Sequence, residues 1–247
     1  MVVDDDGHGL FTTGLRHGDA LHVGDLDPAR PGLEVFGIHE SEGNTIPLGT
    51  PGSALYDAAT GQILWSNNPG VDVGRGMSAD IDPNFFGEEQ WGAPGGLRRV
   101  DTGAVISTTA PPSVNYGIWW DADLLRELED ATSITKWNPA TRTVSTLLAP
   151  SGIASNNGTK ANPCLIADIF GDWREEVIWR ASDNQSLRIY TTTTPTQYRF
   201  YTLMHDRQYR MSVAWQNVGY NQPTHPSFYL GTGMVQPPRP NITTENF

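Results

Sequence analysis

The chain is built of short apolar runs broken by turns. "YDAATGQILW" (Tyr56 to Trp65), "VDTGAVIST" (Val100 to Thr108) and "WNPATRTVST" (Trp137 to Thr146) each place Asp or Asn, then Thr, before a β-rich run. This is turn chemistry between paired strands, since Asp and Asn side chains accept nearby backbone N–H groups and branched residues suit a pleated surface. Helical periodicity is nearly absent. The exception is "WDADLLRELEDA" (Trp120 to Ala131), where Leu124, Leu125 and Leu128 share one helical face and predict a single short helix or helical turn. The rest reads as all-β.

A longer repeat organises these runs. "VGDLDPARPGLEVFG" (Val23 to Gly37), "SADIDPNFFGEEQWG" (Ser78 to Gly92) and "IADIFGDWREEVIWR" (Ile166 to Arg180) share Asp, a polar turn, and Glu before an apolar strand. Weaker leading elements stand at "WWDAD" and "LMHDRQYRMSVAWQ", so Asp25, Asp80, Asp121, Asp168 and Asp206 mark units roughly 40 to 55 residues apart. That spacing fits propeller blades of four strands with variable loops, and four to five blades' worth of sequence is present. A sandwich would give many short strands without recurrence of the cassette. The opening "MVVDDDGHGLFTTG" resembles the second half of a blade.

Composition narrows the function classes. A length of 247 residues allows a sizeable core in one large domain or two small ones. A formal net charge of -12 argues against nucleic-acid binding and suits calcium. No apolar run is long enough to cross a bilayer, the start lacks the pattern of a signal peptide, and Cys164 is the single cysteine. Membrane and nucleic-acid partners are therefore not expected.

The repeated carboxylates carry candidate metal chemistry. Asp25 with Asp27, and Asp80 with Asp82, lie two apart in turns followed by Glu34 or Glu89, and closely spaced hard oxygens are what Ca²⁺ requires. The same residues could instead cap turns by accepting N–H bonds. In "RHGDALH", followed by "HE", His17, Asp19 and Glu40 could share a cation; mixed ligands of this kind suit Zn or Mn better than Ca, and isolated histidines are the bland alternative.

Two cations stand apart. Arg75 lies between glycines in "DVGRGMSAD", where a ligand can approach closely and meet a guanidinium in bidentate fashion; an ordinary ion pair with a nearby Asp is the alternative. Lys160, one of two lysines, lies in "SNNGTKANP", where amide, hydroxyl and ammonium groups suit sugar hydroxyls and carboxylates, though from these residues alone an ordinary Asn-Gly turn with a solvated lysine is the better account.

Taken together, "RHGDALHVGDLDPARPGLEVFGIHE", "DAATGQILW", "DVGRGMSADIDP", "NYGIWWDADLLREL", "SNNGTKANP", "GDWREEVIWR", "LRIYTTTTPT" and "AWQNVGYNQP" resemble the rhamnogalacturonan endolyases of the eleventh polysaccharide lyase family, from near Asp4 to about Pro240. The resemblance implies an eight-bladed β-propeller with several calcium ions. Residues 1–247 would then be the C-terminal portion of a single propeller domain, lacking its N-terminal blades, with weak or no activity alone. It further implies β-elimination within a rhamnose-galacturonate backbone by a secreted enzyme that is monomeric at full length. Arg75 and Lys160 become the expected catalytic pair; Asn157, Gly158, Thr159 and Asn221 the expected sugar-binding residues; and His17, Asp19 and Glu40 expected calcium ligands. A non-catalytic calcium-binding propeller that holds carbohydrate or protein is the competing expectation. A propeller glycoside hydrolase would need a carboxylate pair, and none is singled out by context.

Overall fold

The computed structural model describes residues 1–39, 51–92, 94–237 and 239–241. Within it the Asp and Asn turns form where the sequence places them: Asp57 Oδ1 accepts from the backbone N–H of Ala59 and Thr60, and Asn138 Oδ1 from those of Ala140 and Thr141. Each such turn returns the chain antiparallel to itself, and four sheets of four strands result. The first blade holds Ala20–Gly24, Glu34–Ile38, Ser53–Asp57 and Ile63–Asn67. The second holds Gly76–Ala79, Glu89–Gly92, Leu97–Arg99 and Val105–Ser107. The third holds Tyr116–Ile118, Glu127–Asp130, Ser133–Asn138 and Thr143–Leu148. In the fourth, Ile153–Ala154 and Leu165–Ala167 pair with one side of Glu176–Ala181, and Leu187–Tyr190 pairs with the other. A two-stranded hairpin, Val2–Val3 with Gly9–Phe11, precedes them and fits the half-blade reading of the opening segment.

The order of burial makes this a propeller. The first strand of blade two touches those of blades one and three, and the first strands of blades two and three are wholly buried, while the last strand of blade three is almost wholly exposed. Apolar clusters fill the spaces between blades: Met77 and Trp91 of blade two meet Leu128 and Trp137 of blade three, and Tyr116 and Ile134 of blade three meet Val177 and Trp179 of blade four. Burying one tryptophan removes roughly 200 Å² from water, worth about 5 kcal/mol before the entropy of ordering is charged against it.

A recurring glutamate fixes the far end of each inner strand. Glu34 accepts from Leu26 and Asp27 N–H at 3.1 and 3.0 Å, and Glu89 accepts from Ile81 and Asp82 at 3.0 and 2.9 Å. Glu127 does the same for Trp120 and Asp121, and Glu176 for Ile169 and Phe170. One carboxylate oxygen thus clamps two consecutive amides of the turn that precedes it. The residue just before the clamp joins neighbouring blades: Glu88 N–H donates to Leu26 O, Arg126 N–H to Asp80 O, and Glu175 N–H to Trp119 O.

Two expectations are corrected. Residues 120–131 are not helical: Glu127–Asp130 is the second strand of blade three, and Leu124 and Leu128 enter different apolar clusters. The Glu127 clamp draws the backbone into a turn and strand that a helix would not permit. "LMHDRQYRMSVAWQ" is not a leading blade element either, because Arg207–Trp215 is an α-helix whose first turn is capped by Asp206 accepting from Tyr209 N–H at 2.7 Å.

Replacing Glu176 by Ala leaves the Ile169 and Phe170 amides without their acceptor and should lower unfolding stability by about 2 to 3 kcal/mol. Glu176→Gln keeps one acceptor oxygen and should recover roughly half, as read from urea denaturation midpoints at constant slope.

Candidate functional site

The candidate residues gather because each directly precedes an inner strand. Asp19 stands before Ala20–Gly24, Arg75 before Gly76–Ala79 and Asn115 before Tyr116–Ile118. In blade four the inner strand is interrupted: Ala154 pairs with Arg180 and Leu165 with Ile178 on the same side of Glu176–Ala181, so residues 155–164 leave the sheet as a loop. An Asn156–Asn162 bridge closes the loop, and a 3₁₀ turn at Gly158–Lys160 forms its tip. Asn157 and Ala161 take left-handed conformations, φ 57° and 51°, at the two ends of that turn.

The tip meets the other blades. Arg75 donates to Asn115 Oδ1 at 2.8 Å and to the Thr159 carbonyl. Lys160 Nζ pairs with Asp19 and lies 4.3 Å from the centre of the Tyr220 ring. Arg75 is presented by its two glycines: Gly74 has φ +67°, and a Cβ at Gly76 would lie 2.5 Å from the Trp91 carbonyl. Burial pushes the Lys160 ammonium below the ordinary lysine value, while the Asp19 carboxylate favours its charged form.

Long-range bonds hold this cluster in place. Tyr220 carries φ 93°, a strained value for a side chain of its size, and its carbonyl accepts from Tyr116 Oη and Asn162 Nδ2. Asn221 is buried and donates to the Lys160 carbonyl at 2.8 Å, so it anchors the loop from behind. Asn157 donates to Asn162 Oδ1, while Gly158 and Thr159 are exposed at the tip. Beneath Arg75 runs a buried chain: His22 Nε2 lies 3.1 Å from Gly76 O, His22 Nδ1 2.9 Å from His225 Nε2, and His225 Nδ1 3.2 Å from Glu88 Oε1. With both imidazoles neutral, donors run in one direction only if Glu88 is protonated, and burial pushes its carboxyl up to about 7. Sequence reasoning missed Asn115 and Tyr220; both lie in the quoted "NYG" and "GYN" motifs, but their contacts are long-range.

The metal candidates fall in two places. His17 is exposed, Asp19 is buried beside Lys160, and Glu40 lies outside the described residues. Asp25, Asp27, Asp80 and Asp82 follow the inner strands and so occupy the opposite end from Arg75 and Lys160. Asp25 accepts from Tyr229 N–H, Asp27 from Ala29 N–H, Asp80 from Tyr229 Oη, and Asp82 from Asn84 N–H. Buried oxygens remain without partners, Asp25 Oδ1 in blade one and Asp80 Oδ1 and Glu89 Oε1 in blade two, and such oxygens fit a hard cation. Asp121, Asp123 and Glu127 of blade three form an acidic group that could hold a metal ion, but Lys136 Nζ already sits 2.5, 2.7 and 2.9 Å from their oxygens.

Comparison with known proteins bears on the whole chain. Residues 1–240 match the family model "Rhamnogalacturonan lyase family 11, C-terminal domain". The chain is 56% identical over 244 residues to the rhamnogalacturonan endolyase YesW of Bacillus subtilis (strain 168), covering 99% of this chain and 38% of that protein. It is 55% identical over 257 residues to the rhamnogalacturonan exolyase YesX of the same organism, covering 98% and 41%. The crystal structure of YesW superposes with a TM-score of 0.91 at 55% identity over 98% of this chain and 40% of that one, and a Bacillus licheniformis rhamnogalacturonan lyase PL11 structure with 0.91 at 56% over the same shares. The chain spans about two-fifths of the length of these relatives.

Lys136→Met should leave three carboxylates facing one another and lower stability by about 2 kcal/mol or more. Melting measurements should show the deficit shrinking at pH below about 4, where carboxylates take up protons, and shrinking again when Ca²⁺ is added at neutral pH.

Proposed function

The chain belongs to rhamnogalacturonan lyase family 11, and from that membership we propose that it contributes the catalytic pair of a lyase that cuts the rhamnose-galacturonate backbone of pectin by β-elimination. The observation that carries the reading is the convergence of Arg75 and Lys160: the guanidinium bonds the carbonyl of the residue that precedes the lysine.

The residues suit the steps of elimination. Arg75 pairs with the galacturonate carboxylate and so acidifies the C5 proton. Lys160 Nζ, in its neutral form, takes that proton; the C4–O4 bond breaks as the C4–C5 double bond forms, the departing oxygen takes a proton from water, and the lysine ammonium then returns its proton to solvent. Partial burial moves Lys160 in the direction a base needs. Asn157 and Thr159, exposed beside the lysine, are placed for sugar hydroxyls. Calcium bound at Asp19 would supply further positive charge for the substrate carboxylate, and the unpartnered oxygens of Asp25, Asp80 and Glu89 suit structural calcium at the opposite end. We place the action outside the cell, where the polymer is met, by a monomer.

In the full-length protein, rhamnogalacturonan should yield products with the ultraviolet absorbance of an unsaturated uronate. Lys160→Ala should reduce kcat by about 10²- to 10⁴-fold and Arg75→Ala by about 10²- to 10³-fold, in protein that is still folded at the assay temperature although its melting temperature falls with the loss of the Asp19 and Asn115 contacts. Saturated products formed with uptake of water would sink the lyase reading, and an active Lys160→Ala variant would remove the lysine from its role.

Calcium dependence has its own check. Chelation should lower the melting temperature and the rate together, and Ca²⁺ but not Mg²⁺ should restore both, since the loops offer many oxygens in irregular geometry. A melting curve indifferent to chelator would exclude structural calcium.

A further inference from the structure

Beyond the cassette of blade four lies a cavity that the lysine loop does not use. Lys160 precedes the inner strand Leu165–Ala167, whereas this cavity, of about 420 Å³, opens after it between Asp172, Trp173 and Arg174 on one wall and Thr196, Arg199 and Phe200 on the other. Its size is that of an ordinary small-ligand pocket.

The walls offer two kinds of chemistry. Trp173 is held at φ 74° and meets Phe200 edge-on at 5.3 Å; Tyr198, 40% exposed and outside the lining, stacks on Phe200 at 6.2 Å with planes 18° apart. The aromatic group therefore stands braced by a buried tryptophan and leaves one ring in solvent. Of the two guanidiniums, Arg174 is buried and committed to Asp172 at 2.7 Å and to the Thr194 carbonyl, although its Nε has no partner. Arg199 is exposed and donates only to the carbonyls of Thr196 and Tyr198, with no carboxylate partner among the described residues. Its free donors suit a carboxylate, and the adjoining rings suit the apolar face of a pyranose. Asp172 lies on the same rim, but Arg174 offsets its charge.

We propose that this cavity is a second carbohydrate site, which takes a uronate unit of an acidic polysaccharide and anchors the polymer away from the lysine site. Arg199 pairs with the uronate carboxylate, and Phe200 faces the sugar ring. The choice of polymer rests on the lyase reading; the site's need for a carboxylate does not.

Affinity electrophoresis tests it, with full-length protein run through gels containing rhamnogalacturonan in a Lys160→Ala background so that the polymer is not cut. Adding Arg199→Glu should weaken retention about tenfold, the loss of one charge-assisted bond, with unchanged melting temperature. Polymer whose carboxyls have been reduced to alcohols should retain neither form. In the active protein, Arg199→Glu should raise KM on polymer several-fold and leave kcat unchanged. Equal retention of the Arg199→Glu and Arg199 forms, or retention by the reduced polymer, overturns the site. Failure of the lyase reading is separate: it shows as absence of unsaturated product, while carboxyl-dependent retention is still read on the gel.

Discussion

The structure depends on a carboxylate that accepts two adjacent amide protons. Glu34, Glu89, Glu127 and Glu176 each stand at the start of a second strand and clamp the turn behind them. Burying a carboxylate is costly, and burial pushes Glu34 and Glu127 up to about 7. Charge-assisted bonds to otherwise unsatisfied amides offset that cost, and they fix the turn at both of its amides. In blades two, three and four the preceding residue is then fixed too, and its N–H reaches the neighbouring blade. One side-chain choice, repeated, therefore sets the turn within a blade and the join between blades.

The candidate site is the consequence at the opposite end of the same strands. Once each inner strand is pinned by its clamp, the residue before it is pinned as well, and four blades deliver Asp19, Arg75, Asn115 and Lys160 to one place. Lys160 needs the most construction, since its loop leaves the sheet and takes left-handed backbone at Asn157 and Ala161. The segment around Tyr220 closes the cluster, and its strained backbone persists because buried Asn162 and Tyr116 hold its carbonyl. Function here is positioned by strands and locked by a crossing segment far away in sequence.

Much of this was legible and some was not, for physical reasons. The blades could be read because turn chemistry is local: Asp57 and Asn138 bond amides two and three residues on. The Glu of each cassette was visible as a recurrence, yet its clamp was not, because nothing in spacing says which way a carboxylate faces. The leucines near Leu124 suggested a helix because periodicity cannot register that Glu127 captures the amides of Trp120 and Asp121. Arg75 and Lys160 were singled out by their neighbours and by resemblance, whereas Asn115 and Tyr220 acquire meaning only when blades two, three and four meet.

The two lysines show how the same side chain is assigned to different work. Lys136 lies among three carboxylates; burial lowers its proton affinity, but the charge of Glu127 and the bonds to Asp121 and Asp123 outweigh that and raise it well above the ordinary lysine range. It is a fixed cation, and its ammonium occupies the place a metal ion would take. Lys160 has one carboxylate, an aromatic face and a partly dry setting, and burial moves its proton affinity downward. An ammonium surrounded by acids cannot give up its proton near neutrality, while one whose single acid partner can be drawn to another cation can. The number of facing carboxylates, set by cross-strand register in one blade and by a loop outside the sheet in the next, separates the structural lysine from the candidate base.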